Sequence, residues 1–541
     1  MSDPTPPATA RGDKETGVRR HRADDDVAAE AAQAARAERQ MTLLEAVRTY
    51  PKAIGWSVLL SSTLVMEGYD LALLGNLYSS PVFNDKYGSW SEARGRRVVS
   101  AAWQSGLSNG ARAGEVLGLV LAGWAADRYG YRLTTMGFLV LMIAFVFVLF
   151  FAPNVQVLLL GEVLCGIPWG AFQSVTPAYA SEVAPVVLRP YLTTFINMCW
   201  VIGQFFSAAV NKGSYHHKDE WAYRIPFGVQ WVWPVPILIG LIFAPESPWW
   251  YVRHNDKAAA KRALLRLTSR NQPNFNPDKT IAMIEYTDEM ERRAKEGVTY
   301  PDCFRGVDLR RTEVVVGVWL AQTLGGQNLM GYFAYFLTQA GMDPDNSFSL
   351  SMGQYALGVV GTAGSWLLMH RAGRRAIHLS GLCAQCALLL VVGGLAFSAA
   401  DASVWAIGAA LALFTFVYDF TVGPVTYSLV SELSSTRLKN KTIVLARAAY
   451  NASNIFVNVM TNYQLSSTAW DWGARTALFW AGTCLLSSVW VYFRVPEPRG
   501  RTYAELDLLF ERGVPARKFA GTKIDPYSRH LGDEKKSAEE R

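Results

Sequence analysis

The stretch GWAADRYGYRLT (residues 123–134) interrupts two long apolar runs with an acid, two arginines and a glycine, and it returns in shortened form as LMHRAGRRAIH (368–378). A second pair behaves the same way: PAYASEVAPVVLRPY (177–191) and TYSLVSELSSTRLKN (426–440) each carry a Glu followed a few residues later by an Arg. Charged turns that recur at matching places in the two halves of a chain mark an internal duplication.

Outward from those turns, half of the 541 residues are hydrophobic and only 18% are charged, with 18 Trp and 44 Gly. That balance is one of membrane proteins. A helix of about 20 apolar residues crosses a hydrocarbon core of roughly 30 Å. Such stretches fall near 53–79, 100–122, 132–151, 155–177, 190–210 and 226–244, and again near 313–338, 350–369, 376–399, 403–430, 443–464 and 474–494. The expected fold is an all-α membrane protein of twelve transmembrane helices in two six-helix halves, residues 53–247 and 313–494.

Residues 1–52 and 495–541 read as polar tails, and 248–312 as a central loop. In that loop KAAAKRALLRL and IAMIEYTDEMERRAKEG have the spacing of short amphipathic surface helices. Its Lys and Arg content, with an even number of spans, predicts that the loop and both termini are cytoplasmic. No short apolar core with a small-residue cleavage site precedes the first span, so no cleaved signal peptide is expected. The net charge of +7 is spread over loops flanking the spans, which fits orientation in a bilayer and gives no nucleic-acid footprint.

The six cysteines read as small buried apolar residues; CAQC (383–386) has the spacing of a redox or zinc pair but lies in a span without a second ligand pair. No metal site or cofactor is expected. No set of nucleophile and base, and no phosphate loop, supports an enzyme.

Parallel six-span repeats with a site between them at the membrane midplane are a transporter design. On that reading the repeated turns form a cytoplasmic gate, in which Asp127, Arg128, Arg132, Glu182, Arg189, Arg374, Arg375, Glu432 and Arg437 make charge networks that close one side and break when it opens. Charge that only sets topology would explain the arginines but not the paired glutamates.

The spans themselves hold charges. Glu67 and Asp70, three apart in STLVMEGYDLALLGN (61–75), share a helical face, as do Arg112 and Glu115 in the second span. Glu162, Asp419 and Arg447 add to them. Each such charge costs roughly 2.5 to 3.5 kcal/mol at a helix centre, so they face a watery path or pair across the bundle. Desolvation disfavours a carboxylate and an approaching Arg favours it, so movement of Arg relative to acid loads and releases a proton. The alternative is a set of static ion pairs that specify helix packing.

At the charged turns the chain resembles the major facilitator superfamily, and within it the sugar porters, whose signatures are D-R-x-G-R-R-type loops, P-E-S-P after span six and P-E-T-K-G after span twelve. Here they read DRYGYR, APESPWW and VPEPRGRTYAELD, over roughly residues 53 to 512, with His370 where the second loop has an acid and Pro498-Arg499 for Thr-Lys. MEGYDLALLGN, WQSGLSNGARAGEVLG, LCGIPWGAFQ and YDFTVGPVTY are similar to the fungal maltose permease branch, the alpha-glucoside/proton symporters.

The resemblance implies a plasma-membrane symporter that imports maltose, sucrose or trehalose with a proton as the coupling ion. It ties Glu67, Asp70, Glu115 and Arg447 to transport, with Arg112 beside Glu115. Bacterial sugar porters pair the span-one Asp with an Arg at the start of span four. Glu162 stands there in this chain, so Arg112 or Arg447 is the expected partner of Asp70.

Sugar hydroxyls call for amides, carboxylates and aromatic faces. The resemblance implies contacts from Asn197 and Gln204 in span five, Gln322, Gln327 and Asn328 in span seven, and Asp419 and Tyr427 in span ten. Asn451, with Asn454 and Asn458 at helical spacing, is the candidate in span eleven. An Asn or Gln in a span also serves as interhelical glue. Pro and Gly in GIPWG and TVGPV are expected to break spans four and ten. The expected partners are a sugar and the lipid bilayer, and the expected working unit is a monomer. A monosaccharide uniporter and a non-transporting sugar sensor are the alternatives.

Overall fold

The computed structural model describes residues 41–522, apart from 93–94, 186, 270–274, 296–298, 399–400, 436–437, 500 and 502. Helix α1 (Leu43–Thr49) opens on a capping box between Thr42 and Glu45 and leads into the first span, formed by α2 (Pro51–Ser61) and α3 (Thr63–Leu77). After α4 (Pro81–Tyr87), strands β1 (Ser89–Ser91) and β2 (Arg96–Val98) pair antiparallel with Trp90 opposite Arg97.

Helix α5 (Ala101–Phe150) contains spans two and three in one run, and Gly130, at φ 84°, turns the chain between them. Spans four, five and six are α6 (Val155–Val183), α7 (Arg189–Ser214), and α8 (Trp221–Val229) with α9 (Pro234–Phe243).

The central stretch folds as α10 (Pro248–Arg253), α11 (Lys257–Leu267) and α12 (Pro277–Lys295). The second half follows with α13 (Gly306–Leu324), α14 (Asn328–Gly331) and α15 (Phe333–Gln339) as span seven, then α16 (Pro344–Arg371) and α17 (Arg374–Leu395). Span ten is α18 (Asp401–Phe420) with α19 (Val422–Leu433), and α20 (Lys439–Leu465) and α21 (Thr476–Arg494) complete the set before α22 (Tyr503–Glu511).

Each of the twelve expected spans therefore falls on a helix or a broken run of helices. Seven of these runs are apolar and long enough to cross a membrane by composition, with α5 holding two spans. The four others, α7, the α13–α15 run, α16 and α20, are more polar. Three of them supply the amides of the cavity described below.

Thr421 breaks span ten as TVGPV predicts. Span four is the exception: α6 runs unbroken through Pro168 of GIPWG. The proline removes one internal hydrogen bond, but close packing on either side of it holds the helix. A Cβ placed on Gly166 or Gly170 would land on the carbonyls of Ala111 and Glu115, and one on Gly114 or Gly118 would land on those of Val163 and Ile167. Small residues thus bring α5 and α6 to backbone contact, where packing replaces the hydrophobic drive that lipid cannot provide. Gly68 and Gly203 do the same for α3 and α7.

Candidate functional site

A cavity of about 150 Å³ lies between the two halves. The first half lines it with Glu67, Asp70, Arg112, Asn197, Trp200 and Gln204, and the second with Gln322, Gln327, Asn328, Asp419, Tyr427, Arg447, Tyr450, Asn454 and Asn458. Helical geometry explains the grouping: residues three, four and seven apart share a face, so α3 turns Glu67 and Asp70 inward together and α20 does so with Arg447, Asn454 and Asn458. The acids are almost fully enclosed, at 2% exposure for Glu67, 4% for Asp70, 1% for Glu115, 0% for Glu162 and 1% for Asp419.

Their partners are specific. Arg112 donates from one guanidinium nitrogen to both oxygens of Glu115, at 3.0 and 2.9 Å, as the i, i+3 spacing predicts. Glu67 Oε1 accepts from Gln173 Nε2 at 2.6 Å, and Gln173 Oε1 accepts from Arg447 at 2.8 Å. Arg447 also lies over the rings of Trp319 and Tyr450, at 5.1 and 4.8 Å.

Asp70 departs from expectation. Neither Arg112 nor Arg447 partners it; Gln230 Nε2 donates to its Oδ1 at 2.9 Å, and Glu162 lies alongside. The two arginines are drawn off by nearer acceptors, Glu115 and Gln173, which leaves Asp70 to the amide that closes α8.

Among the expected substrate contacts, Asn197, Gln204, Gln322, Gln327, Asn328, Asp419 and Tyr427 all reach the cavity. Asn197 Nδ2 donates to Asp419 Oδ1 across the two halves at 3.3 Å. The Tyr418 hydroxyl accepts from Gln322 and donates to Gln327 at 2.6 Å, and Gln327 donates to Tyr450 at 3.2 Å. Asn328 donates to Asn458. The Tyr427 ring meets Trp319 edge-on at 4.9 Å. Asn451 is buried but lies outside the lining, and the next turns of the same helix, Asn454 and Asn458, take that place.

At the end of the bundle away from the central loop the halves are joined. Tyr78 and Tyr332 stack at 6.4 Å, the hydroxyls of Ser79 and Thr338 lie 3.3 Å apart, and those of Ser108 and Tyr332 lie 2.8 Å apart. A Cβ on Gly75 would fall on the Gly331 carbonyl.

At the loop end the expected gate residues pair within each half. In the first half Glu182 binds Arg253, Ser247 and, at 2.8 Å, the Tyr131 hydroxyl. In the second, Arg374 meets Glu432 at 3.4 Å. Arg132 and Arg375 cap helix ends, donating to the carbonyls of Ile242 and Tyr492 at 2.7 Å each. Arg189 donates to the Ala184 carbonyl, while Asp127 and Arg128 are exposed, with Arg128 over Trp124 at 5.9 Å. Arg437 lies outside the described residues.

Two acids missing from the gate prediction sit at the centre of these ends. Glu246 accepts from the backbone N–H of Tyr131 and Arg132 at 3.1 and 2.9 Å, and Glu497 accepts from those of Arg374 and Arg375 at 2.8 and 3.1 Å. Each thereby satisfies orphan donors at a helix start. Burial lifts Glu246 above the ordinary carboxylate range, against the pull of the backbone N–H groups of Ser247, Arg132 and Tyr131. The signal was present in APESPWW and VPEPRG, which repeat Pro-Glu after the sixth span of each half. Gln173 and Gln230 carried no such signal.

Two like six-helix halves around a cavity lined by charged, amide and aromatic side chains define a secondary transporter of the major facilitator class. The chain belongs to the sugar transporter family: the family described as Sugar (and other) transporter matches residues 56–510. It is 41% identical to maltose permease MAL31 of Saccharomyces cerevisiae over 509 residues, 93% of this chain and 83% of that one. It is 40% identical to the general alpha-glucoside permease of the same yeast over 522 residues, 96% and 84% of the two chains.

Among solved structures it shares the fold of the xylose transporter XylE from E. coli. The partially occluded inward-open form aligns with a TM-score of 0.68 at 18% identity, covering 84% of this chain and 99% of that one. The proton:xylose symporter XylE bound to 6-bromo-6-deoxy-D-glucose aligns at 0.67 and 19%, covering 85% and 99%.

Proposed function

We propose that this protein is a plasma-membrane proton symporter that imports an alpha-glucoside disaccharide, maltose, sucrose or trehalose, by alternating access. The observation that carries this reading is the cavity itself: enclosed carboxylates of the first half face Arg447 and a set of amide and aromatic side chains of the second. Relatives at about 40% identity named as maltose and alpha-glucoside permeases support the substrate class, and the XylE fold supports the coupling mode.

On this reading residues 53–247 and 313–494 are the moving halves, and the loop end and both termini are cytoplasmic. The joined far end then corresponds to a state closed toward the outside. Asn197, Gln204, Gln322, Gln327, Asn328, Asp419 and Tyr427 hold the sugar, with Asn454 and Asn458 in place of Asn451.

Glu67 and Asp70, with the Arg112–Glu115 pair and Arg447 around them, take up the proton. An ionised acid inside the bundle is costly to move through apolar surroundings, so a proton taken up by Glu67 or Asp70 together with bound sugar favours the change of access. The proton is the coupling ion; no cofactor or metal enters the mechanism, and one chain is the working unit.

The test is external pH during addition of maltose, sucrose, trehalose or glucose to de-energised yeast that expresses this chain and lacks its own permeases. Alkalinisation with a disaccharide, abolished by Asp70→Asn, is the expected result. Equilibration of labelled sugar without any pH change would make the protein a facilitator.

A further inference from the structure

Between Glu67 of the first half and Arg447 of the second stands a neutral side chain that neither the charge pattern nor the cavity lining singles out. Gln173 of α6 donates to Glu67 Oε1 at 2.6 Å and accepts from Arg447 at 2.8 Å. The polarity of this bridge is set by chemistry: a guanidinium has only donors and a carboxylate only acceptors, and an amide presents one of each. The other carboxyl oxygen, Glu67 Oε2, is buried and takes no part in this bridge, with the Trp200 indole beside the carboxylate. The amide therefore makes the two oxygens inequivalent, with Oε1 held by Gln173 and Oε2 outside that bridge.

We infer that Gln173 is the positioning residue of proton coupling: it spaces Arg447 from Glu67, keeps Glu67 protonatable, and makes its orientation depend on contact between the two halves. This rests on the symport reading above. The charged and titratable groups facing Glu67 are Arg112 and Glu115 from α5, Arg447 from α20 and Tyr427 from α19, with the Trp200 indole of α7 beside them. Of these cations, Arg112 is engaged by Glu115, so Arg447 is the one whose approach Gln173 controls.

When the halves separate at this level, the Arg447–Gln173 bond breaks and the amide turns with Glu67 alone. When they close, the guanidinium pulls on the amide oxygen and fixes the N–H on Glu67. The state of the interface is thus read at the acid through one side chain, without a direct ion pair that would hold it ionised.

The test is the pH profile of initial uptake and of alkalinisation, using maltose as the probe in the same yeast, with surface protein quantified for every variant. In Gln173→Ala, Arg447 reaches Glu67 directly, and an opposite charge in contact favours the ionised form. The profile then moves toward acid by about one pH unit or more. In Gln173→Glu the inserted carboxylate still accepts from Arg447 but cannot donate to Glu67 and repels its charge, which moves the profile toward alkali.

Gln173→Asn keeps both functions on a stem too short to make both bonds, and shifts toward acid by less than Gln173→Ala. If Gln173→Ala fails to reach the membrane, the Asn and Glu variants decide between themselves. A purely structural glutamine would lower the rate in all three without opposite shifts, and coincident midpoints would overturn the inference. A wild-type protein that moves sugar without alkalinisation would instead remove the symport reading, and this inference with it.

Discussion

Asp70 is enclosed at 4% exposure and rests on the Gln230 amide with Glu162 alongside, so its surroundings contain no arginine in contact. An asparagine keeps the oxygen that Gln230 needs and removes the ionisable group. Asp70→Asn is expected to reach the membrane at wild-type level and to lose alkalinisation, which immunodetection and pH recording together check. Glu162 presents the complementary case, since its carboxyl is fully buried against that of Asp70. Two adjoining buried carboxyls do not both carry charge without large cost. Glu162→Gln is therefore expected to leave the melting temperature of the detergent-purified protein unchanged or higher, and a fall of several degrees would show a charge that the fold depends on. Fluorescence-monitored thermal unfolding reads the difference.

Among elements, the loop-end turns repeat at atomic detail what the charged motifs repeat in letters. Glu246 serves the start of the helix after Gly130, and Glu497 serves the start of α17 after Gly373. A Cβ on either glycine would strike the carboxylate that its turn surrounds. At Gly130 the positive φ adds strain of about 1–3 kcal/mol for any other residue. Gly130→Ala is expected to lower the melting temperature and the amount of protein at the membrane, more than Gly373→Ala, whose φ of −70° an alanine adopts without strain. Equal losses would assign the whole effect to crowding of the glutamate. Glu246→Gln turns an amide N–H toward backbone donors; leaving one buried donor unsatisfied costs about 1–3 kcal/mol. Comparing its melting curve with that of wild type checks the figure.

Across the whole molecule, the halves meet at the far end through Tyr78, Tyr332 and the Ser79–Thr338 contact, while the charged loop-end pairs close within each half and, among the described ring contacts, only Tyr191 and Trp366 meet across the halves near that end. The hydroxyls of Ser79 and Thr338 are 3.3 Å apart, so the two side chains face each other across the halves. Ser79→Cys with Thr338→Cys, under mild oxidant, is expected to stop uptake by holding that end shut, and reductant is expected to restore it. Each single cysteine variant should be indifferent to oxidant. Uptake that persists in the crosslinked protein would mean that transport does not require this end to open.

The twelve spans, the duplication and the cavity-facing charges were legible in the sequence because lipid leaves few choices. Apolar length specifies a crossing, and a charge inside it must turn away from hydrocarbon. The i, i+3 spacing likewise determined that Arg112 meets Glu115, because both lie on one helix. What only the tertiary structure decided lies between helices: that Asp70 rests on Gln230, that Gln173 stands between Glu67 and Arg447, that Asn454 and Asn458 rather than Asn451 reach the cavity, and that Pro168 leaves α6 whole. A neutral amide costs less in a span than a charge and so marks itself less in a sequence, and its partner depends on the rotation and approach of helices brought together by glycine packing. Those are properties of the assembled bundle.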